Sequence, residues 1–198
     1  MREADVTLTD FGLAALCFVF VGRLIGAGAV EDLFAGLYGA LGVAAFLGAV
    51  SHGWVWDRSQ GAGKRLWLVT MLVIGAANLF LWLIAARIFG LPAPWGAVLA
   101  WGSFAVYAAL ALFVIRSFLL SSGFSLPPTL AVLAGFVVTG SWLGALGLAV
   151  ALAGAGQQAA KIPGLGLTHN ALYHVIQAVA FGLVFLGVPG LSAAIAAG

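Results

Sequence analysis

The chain has 198 residues, 64% of them hydrophobic and only 7% charged, more apolar surface than a soluble domain of that length can hide. Eight basic and six acidic residues give a formal charge of +2, with no basic stripe, so nucleic acid is excluded as a partner. The apolar runs are continuous rather than alternating, which argues against a β-barrel. The expected fold is an all-α integral membrane bundle forming one domain over residues 1–198.

The start, Met1-Arg2-Glu3-Ala4-Asp5, has no basic segment leading to a cleavage site, so the first apolar run reads as a mature span. That run covers about residues 7–28, with Thr9 or Asp10 as its N-cap. It holds Cys17, the single cysteine, which rules out an intrachain disulfide. A second span covers 31–56 and a third 64–89. Pro92 and Pro94 open a fourth, ending near Arg116, and Pro127 and Pro128 open a fifth, ending near Gly154. The sixth covers 168–187, ahead of Pro189-Gly190, leaving a tail too short to cross a bilayer.

Six spans is the first reading. Residues 95–154, with Arg116 as their only charge and a Ser121-Ser122-Gly123 turn signal, are also long enough for three tilted helices, which makes seven the alternative. With six spans Arg2, Arg58, Lys64, Arg65 and Arg116 share the N-terminal side, against Arg23, Arg87 and Lys161. The N-terminus is therefore expected in the cytoplasm, in a bacterial inner membrane. The glycines suit close helix packing, and Trp54, Trp56, Trp67 and Trp95 an interfacial belt.

The densest chemistry lies in Thr168-His169-Asn170-Ala171-Leu172-Tyr173-His174-Val175-Ile176-Gln177, which holds two of the three histidines. Such groups in a span are costly and are read first as functional. In a helix Asn170, His174 and Gln177 share one face, and His169 and Tyr173 another. His169 and His174 are five apart, poor geometry for one ion unless His169 precedes the helix. Asn170, Tyr173 and Gln177 are candidate binding residues, and Gln157 and Gln158 candidates for the mouth of a cavity at His169.

The third histidine is in Ser51-His52-Gly53-Trp54-Val55-Trp56-Asp57-Arg58. His52 with Asp57 resembles half a zinc site, and equally an interfacial imidazole beside a solvated Asp-Arg pair. His52, His169 and His174 are the candidate zinc ligands, with Asp57 as base or as hydrogen-bond partner of a ligand, and Ser51 as a further catalytic candidate. Asn78, Ser103, Tyr107, Thr139 and Ser141 read as interhelical hydrogen-bond partners. No carboxylate is expected at the bilayer centre.

The early-helix histidine, nearby aspartate and last-helix cluster resemble the CREST superfamily, which includes the alkaline ceramidases and the progestin/adiponectin receptors. That resemblance implies seven helices, zinc on three histidines and amide hydrolysis. Asn170 stands where the family's first last-helix ligand is expected, and Gly48 where its serine is expected. The His169-Asn170-Ala171-Leu172-Tyr173-His174 motif, the His52-Gly53 pair and Leu8-Thr9-Asp10 also resemble a bacterial multi-pass family over most of the chain. Three functions remain open. One is a zinc-dependent intramembrane hydrolase of a lipid amide or ester. The others are a non-enzymatic partner of other membrane subunits, with lipids as ligands, and a His-ligated tetrapyrrole protein. With six spans, His52 and His174 sit at opposite faces, about 15 Å apart in depth for a ~30 Å core. With seven they meet.

Overall fold

The computed structural model describes residues 3–55, 57, 60–115 and 117–197, with the Phe118 side chain left aside. Among them are seven α-helices: α1 (Ala4–Leu24), α2 (Ala29–Trp54), α3 (Gly61–Ile88), α4 (Ala93–Phe113), α5 (Phe118–Val138), α6 (Trp142–Ala159) and α7 (His169–Ala197). Six of them, all but α6, are long and apolar enough to cross a membrane, and the protein is an integral membrane bundle.

The six-span reading merged three helices into two. α5 spans the Ser121-Ser122-Gly123 turn signal and carries Pro127 and Pro128 inside it rather than at its start. The chain breaks instead after Phe113 and at Thr139–Ser141, where Gly140 takes φ 70, a left-handed conformation that glycine adopts without a Cβ clash. Pro189 likewise lies inside α7, which runs on to Ala197, so the short tail is the last part of that helix. Helix turns on either side of a proline continue where packing holds them in register.

Two packing relationships fix the topology. α1 and α2 run antiparallel, and three glycines of α2 lie tightest against α1. A Cβ on Gly42 would lie 3.1 Å from Cys17, one on Gly48 3.0 Å from the Asp10 carboxylate, and one on Gly53 3.1 Å from Thr7. Small residues there let two backbones approach where no hydrophobic force drives helices together. α1 and α7, in contrast, run parallel. Asp5 meets Thr168, Asp10 meets His174, and Phe20 stacks on Phe185 with ring centroids 4.3 Å apart.

Two parallel neighbours that start at one end require an even number of crossings between their starts, so α6 also traverses the bundle. At 18 residues it is about 27 Å long. It lies close against α7, since a Cβ on Gly147 would stand 2.7 Å from the Ala180 carbonyl. The start of α1, the end of α2, the end of α6 and the start of α7 therefore share one end of the bundle.

Apolar packing holds the middle, with Cys17, Phe34, Tyr38, Phe136 and Val188 in the largest core cluster. Two polar ties link α3 to its neighbours. Tyr107 donates to the Met71 carbonyl at 2.8 Å and meets Ser121 at 2.8 Å, and Ser125 donates to Asn78 at 2.7 Å. Thr139, expected to bridge helices, bonds back to its own Gly135 carbonyl at 2.8 Å.

Candidate functional site at the α1–α2–α7 end

The buried seam of α1 is Val6, Thr7, Asp10, Leu13, Ala14, Cys17, Phe20 and Leu24. It repeats every three or four residues, as one face of a helix does. Traced from Leu24 back toward the N-terminus, the stripe turns polar in its first two turns. Asp10 lies six residues inside α1, about 9 Å along the axis. It is only 4% exposed. It does not cap the helix, nor does Thr9; Glu3 occupies the N-cap position.

Two imidazole–carboxylate pairs hang on this helix. His52 Nδ1 lies 2.6 Å from Glu3 Oε2, tying α2 to the start of α1. His174 Nε2 lies 3.3 Å from Asp10 Oδ1, tying α7 to α1 one level deeper. Glu3 and Asp10 are seven residues apart, two turns of one helix face. Beside them the Thr168 amide donates to Asp5 Oδ2 at 3.0 Å, and Thr168 Oγ1 accepts from the Ala171 amide at 3.4 Å as a helix cap does.

The second nitrogen of His174 is also engaged, because Nδ1 lies 3.2 Å from Thr9 Oγ1. The Thr9 hydroxyl has one proton and three acceptors in reach, the others being the Asp5 carbonyl at 2.9 Å and the Val6 carbonyl at 3.0 Å. If Thr9 donates to the ring, the ring's proton is on Nε2, facing an ionised Asp10. If Thr9 donates to its own backbone, Nδ1–H donates to Thr9, and the Nε2–Asp10 contact then needs a proton of its own. The hydroxyl thus follows the protonation of the pair.

The other expected residues divide. Gln157 donates to the Ile162 carbonyl and, at 3.2 Å, to the His169 carbonyl, while Gln158 donates to Asn170. Gln157 thus meets the backbone of His169, and Gln158 the side chain of Asn170. Asn170 faces α6, whereas His174 faces α1. Gln177 donates to the Tyr173 hydroxyl at 3.1 Å within α7. Ser51 is buried at 1% exposure, and its hydroxyl finds no partner among the described residues. Asp57 is exposed in the α2–α3 connection and accepts from Gln60 Nε2 at 2.8 Å.

The sequence reading passed over Glu3, Asp5, Thr9 and Asp10 as ligating or acid–base groups. For Asp10 the signal was the α1 seam, whose spacing lands on it; Glu3, Asp5 and Thr9 lie off that seam. The topology does bring the ends carrying His52 and His174 together, removing the ~15 Å depth separation that six spans imposed. Even so, among the described residues no group of three His, Cys, Asp or Glu side chains is placed to hold a metal. Three protein donors are what a catalytic zinc takes. Both nitrogens of His174 face α1, Nε2 at Asp10 and Nδ1 at Thr9.

The fold and this end of it define a polytopic helical membrane protein with a buried imidazole–carboxylate pair between its first and last helices and a shallower one between the start of the first and the end of the second. The chain belongs to the family of unknown function DUF6962, whose model matches residues 6–193. A family likeness over most of the chain thus holds, while no comparison links it to the CREST superfamily. No curated protein and no solved structure matches it.

Proposed function

We propose that the protein is a membrane-embedded hydrolase acting on a lipid amide or ester at the membrane boundary, with the Asp10–His174 pair as its acid–base centre. The observation that carries this reading is the sequence carboxylate, imidazole, hydroxyl formed by Asp10, His174 and Thr9. That order of groups is the one by which a carboxylate orients an imidazole so that its far nitrogen can take a proton from a hydroxyl. A nucleophile at the position of Thr9 Oγ1, the threonine itself or a water, gives its proton to Nδ1. Asp10 stabilises the resulting imidazolium through Nε2–H. The proton then passes to the leaving amine or alkoxide, and water supplies the hydroxyl that ends on the acyl carbon. The Glu3–His52 pair, nearer the surface, is placed to exchange protons with the membrane boundary. Zinc was the cofactor expected from the sequence; the donor set does not fit it, and no step runs through it.

The site's end of the bundle also carries Lys64, Arg65 and Lys161, with Arg23 and Arg87 at the other. That asymmetry supports a cytoplasmic site and N-terminus.

One observation favours a second reading. Both ring nitrogens of His174 and the Thr168 amide are spent on α1, as in an interhelical lock of a non-enzymatic membrane subunit. Release of fatty acid from a panel of acyl-amide and acyl-ester lipids by the purified chain decides between them. Turnover lost in Asp10→Asn supports the hydrolase. No turnover of any panel lipid, with co-purifying membrane proteins, supports the lock.

A further inference from the structure

The nine residues between α6 and α7 are a built element rather than a slack connection. Gly164 and Leu167 pair across a tight turn, with the Leu167 amide donating to the Gly164 carbonyl at 2.9 Å and the Gly164 amide returning to Leu167 at 3.3 Å. Both central residues are left-handed, Leu165 at φ 56 and Gly166 at φ 72. Hairpin turns of this hand normally place Asn, Asp or Gly at the first of those positions, because a larger side chain strains there. This chain places leucine there, and leaves it 86% exposed. Lys161, a second non-glycine residue at positive φ, and Ile162, 54% exposed, stand at the hairpin's entry. Gln157 fastens the base to α6 and α7 through the Ile162 and His169 carbonyls.

In water, a strained leucine at a turn tip gains nothing. Its surroundings supply the reason for it. The hairpin lies at the membrane boundary by construction, between the end of one crossing helix and the start of the next. On α7 the exposed residues Val175, Val179 and Leu186 form an apolar stripe by i+4 and i+7 spacing, and the hairpin places exposed Ile162 and Leu165 just ahead of that helix's start.

We propose that the α6–α7 hairpin is a lipid-interface anchor, inserting Leu165 and Ile162 among the acyl chains nearest the headgroups while the Lys161 ammonium sits at lipid phosphate. A long cationic side chain with its stem along apolar surface and its charge at the phosphates is the usual geometry at such a boundary. The anchor belongs to the end of the bundle that holds the imidazole–carboxylate pairs, but it does not depend on the hydrolase reading.

The test is nitroxide labelling of L165C and of I162C, each in a Cys17→Ala background, with Gln60→Cys as a surface reference. The proteins are placed in vesicles of phosphatidylethanolamine and phosphatidylglycerol. Collision with oxygen, which dissolves in lipid, is compared with collision with a water-soluble nickel chelate. The expected result is oxygen-dominated relaxation at 165 and 162 and nickel-dominated relaxation at 60. Nickel-dominated relaxation at 165, or at 162 if the labelled L165C chain does not fold, overturns the proposal. In the same vesicles Lys161→Glu is expected to move the label at 165 toward water, and an unmoved label overturns the phosphate contact.

Discussion

Asp10 Oδ1 and His174 Nε2 meet at 3.3 Å, joining the second turn of the first helix to the second turn of the last. Both side chains are largely buried, at 5% and 13% exposure. The pair is at once a structural tie and the candidate acid–base centre, and the two roles respond differently to mutation.

Removing one partner strands a buried charge or a buried imidazole. Asp10→Leu or His174→Leu alone is expected to cost about 3–5 kcal/mol, as breaking a buried ion pair does. The double variant, with both groups replaced by leucine, is expected to recover most of that loss, since an apolar pair of similar size needs no desolvation. Thermal unfolding in detergent measures the stability. On the proposed hydrolase reading, lipid hydrolysis should stay lost in all three, by about 10²–10⁴-fold, the usual share of general acid–base catalysis.

Thr9 tests the proton accounting. Thr9→Val keeps the shape and removes the hydroxyl next to His174 Nδ1. The fold should hold, because the Asp5 and Val6 carbonyls that Thr9 meets remain within a helix. The ring's nitrogen-15 chemical shifts should report a changed tautomer balance. Unaltered shifts would mean that the hydroxyl does not engage the ring.

Gly48 holds room for the carboxylate. A Cβ there would stand 3.0 Å from Asp10 Oδ2, so Gly48→Ala is expected to push Asp10 off His174 and to destabilise by about 1–3 kcal/mol, the range for overpacking. Gly12, where a Cβ meets nothing within 4 Å, serves as the control: Gly12→Ala should be neutral or slightly stabilising through helix propensity.

Sidedness distinguishes six crossings from seven. In a Cys17→Ala background, Lys161→Cys and Asp57→Cys should react with an impermeant thiol reagent from the same side of sealed vesicles, and Leu91→Cys from the other. Six crossings would put Lys161 with Leu91. Labelling of position 161 from the side of position 91 would refute the parallel packing of α1 and α7.

The helical membrane class was legible because it needs only composition and run length. Backbone amides in a bilayer must be satisfied by protein, and continuous apolar runs of about 20 residues, lacking the alternation of barrel strands, do this as helices. The Thr168–Gln177 cluster was legible for a related reason, that polar side chains in such a run are expensive. The boundaries between α4, α5 and α6 were not. Pro127-Pro128 looked like a helix start, yet those residues lie inside α5, while the chain leaves helix after Phe113 through Val114 and Ile115, which carry no turn signal, and again at Thr139–Ser141, where only Gly140 marks the break.

The sequence by itself determined what this protein is made of: apolar helices, a polar last-helix segment, and three histidines near helix ends. Which groups those histidines face was decided by tertiary structure alone. Adding one crossing between Trp95 and Gly154 reverses the direction of every later helix, and so carries His174 and Lys161 from one membrane face to the other. Only with α7 parallel to α1 does His174 reach Asp10 and Thr9. Local propensity carries no information about that parity, because each helix satisfies its own backbone whichever way it runs.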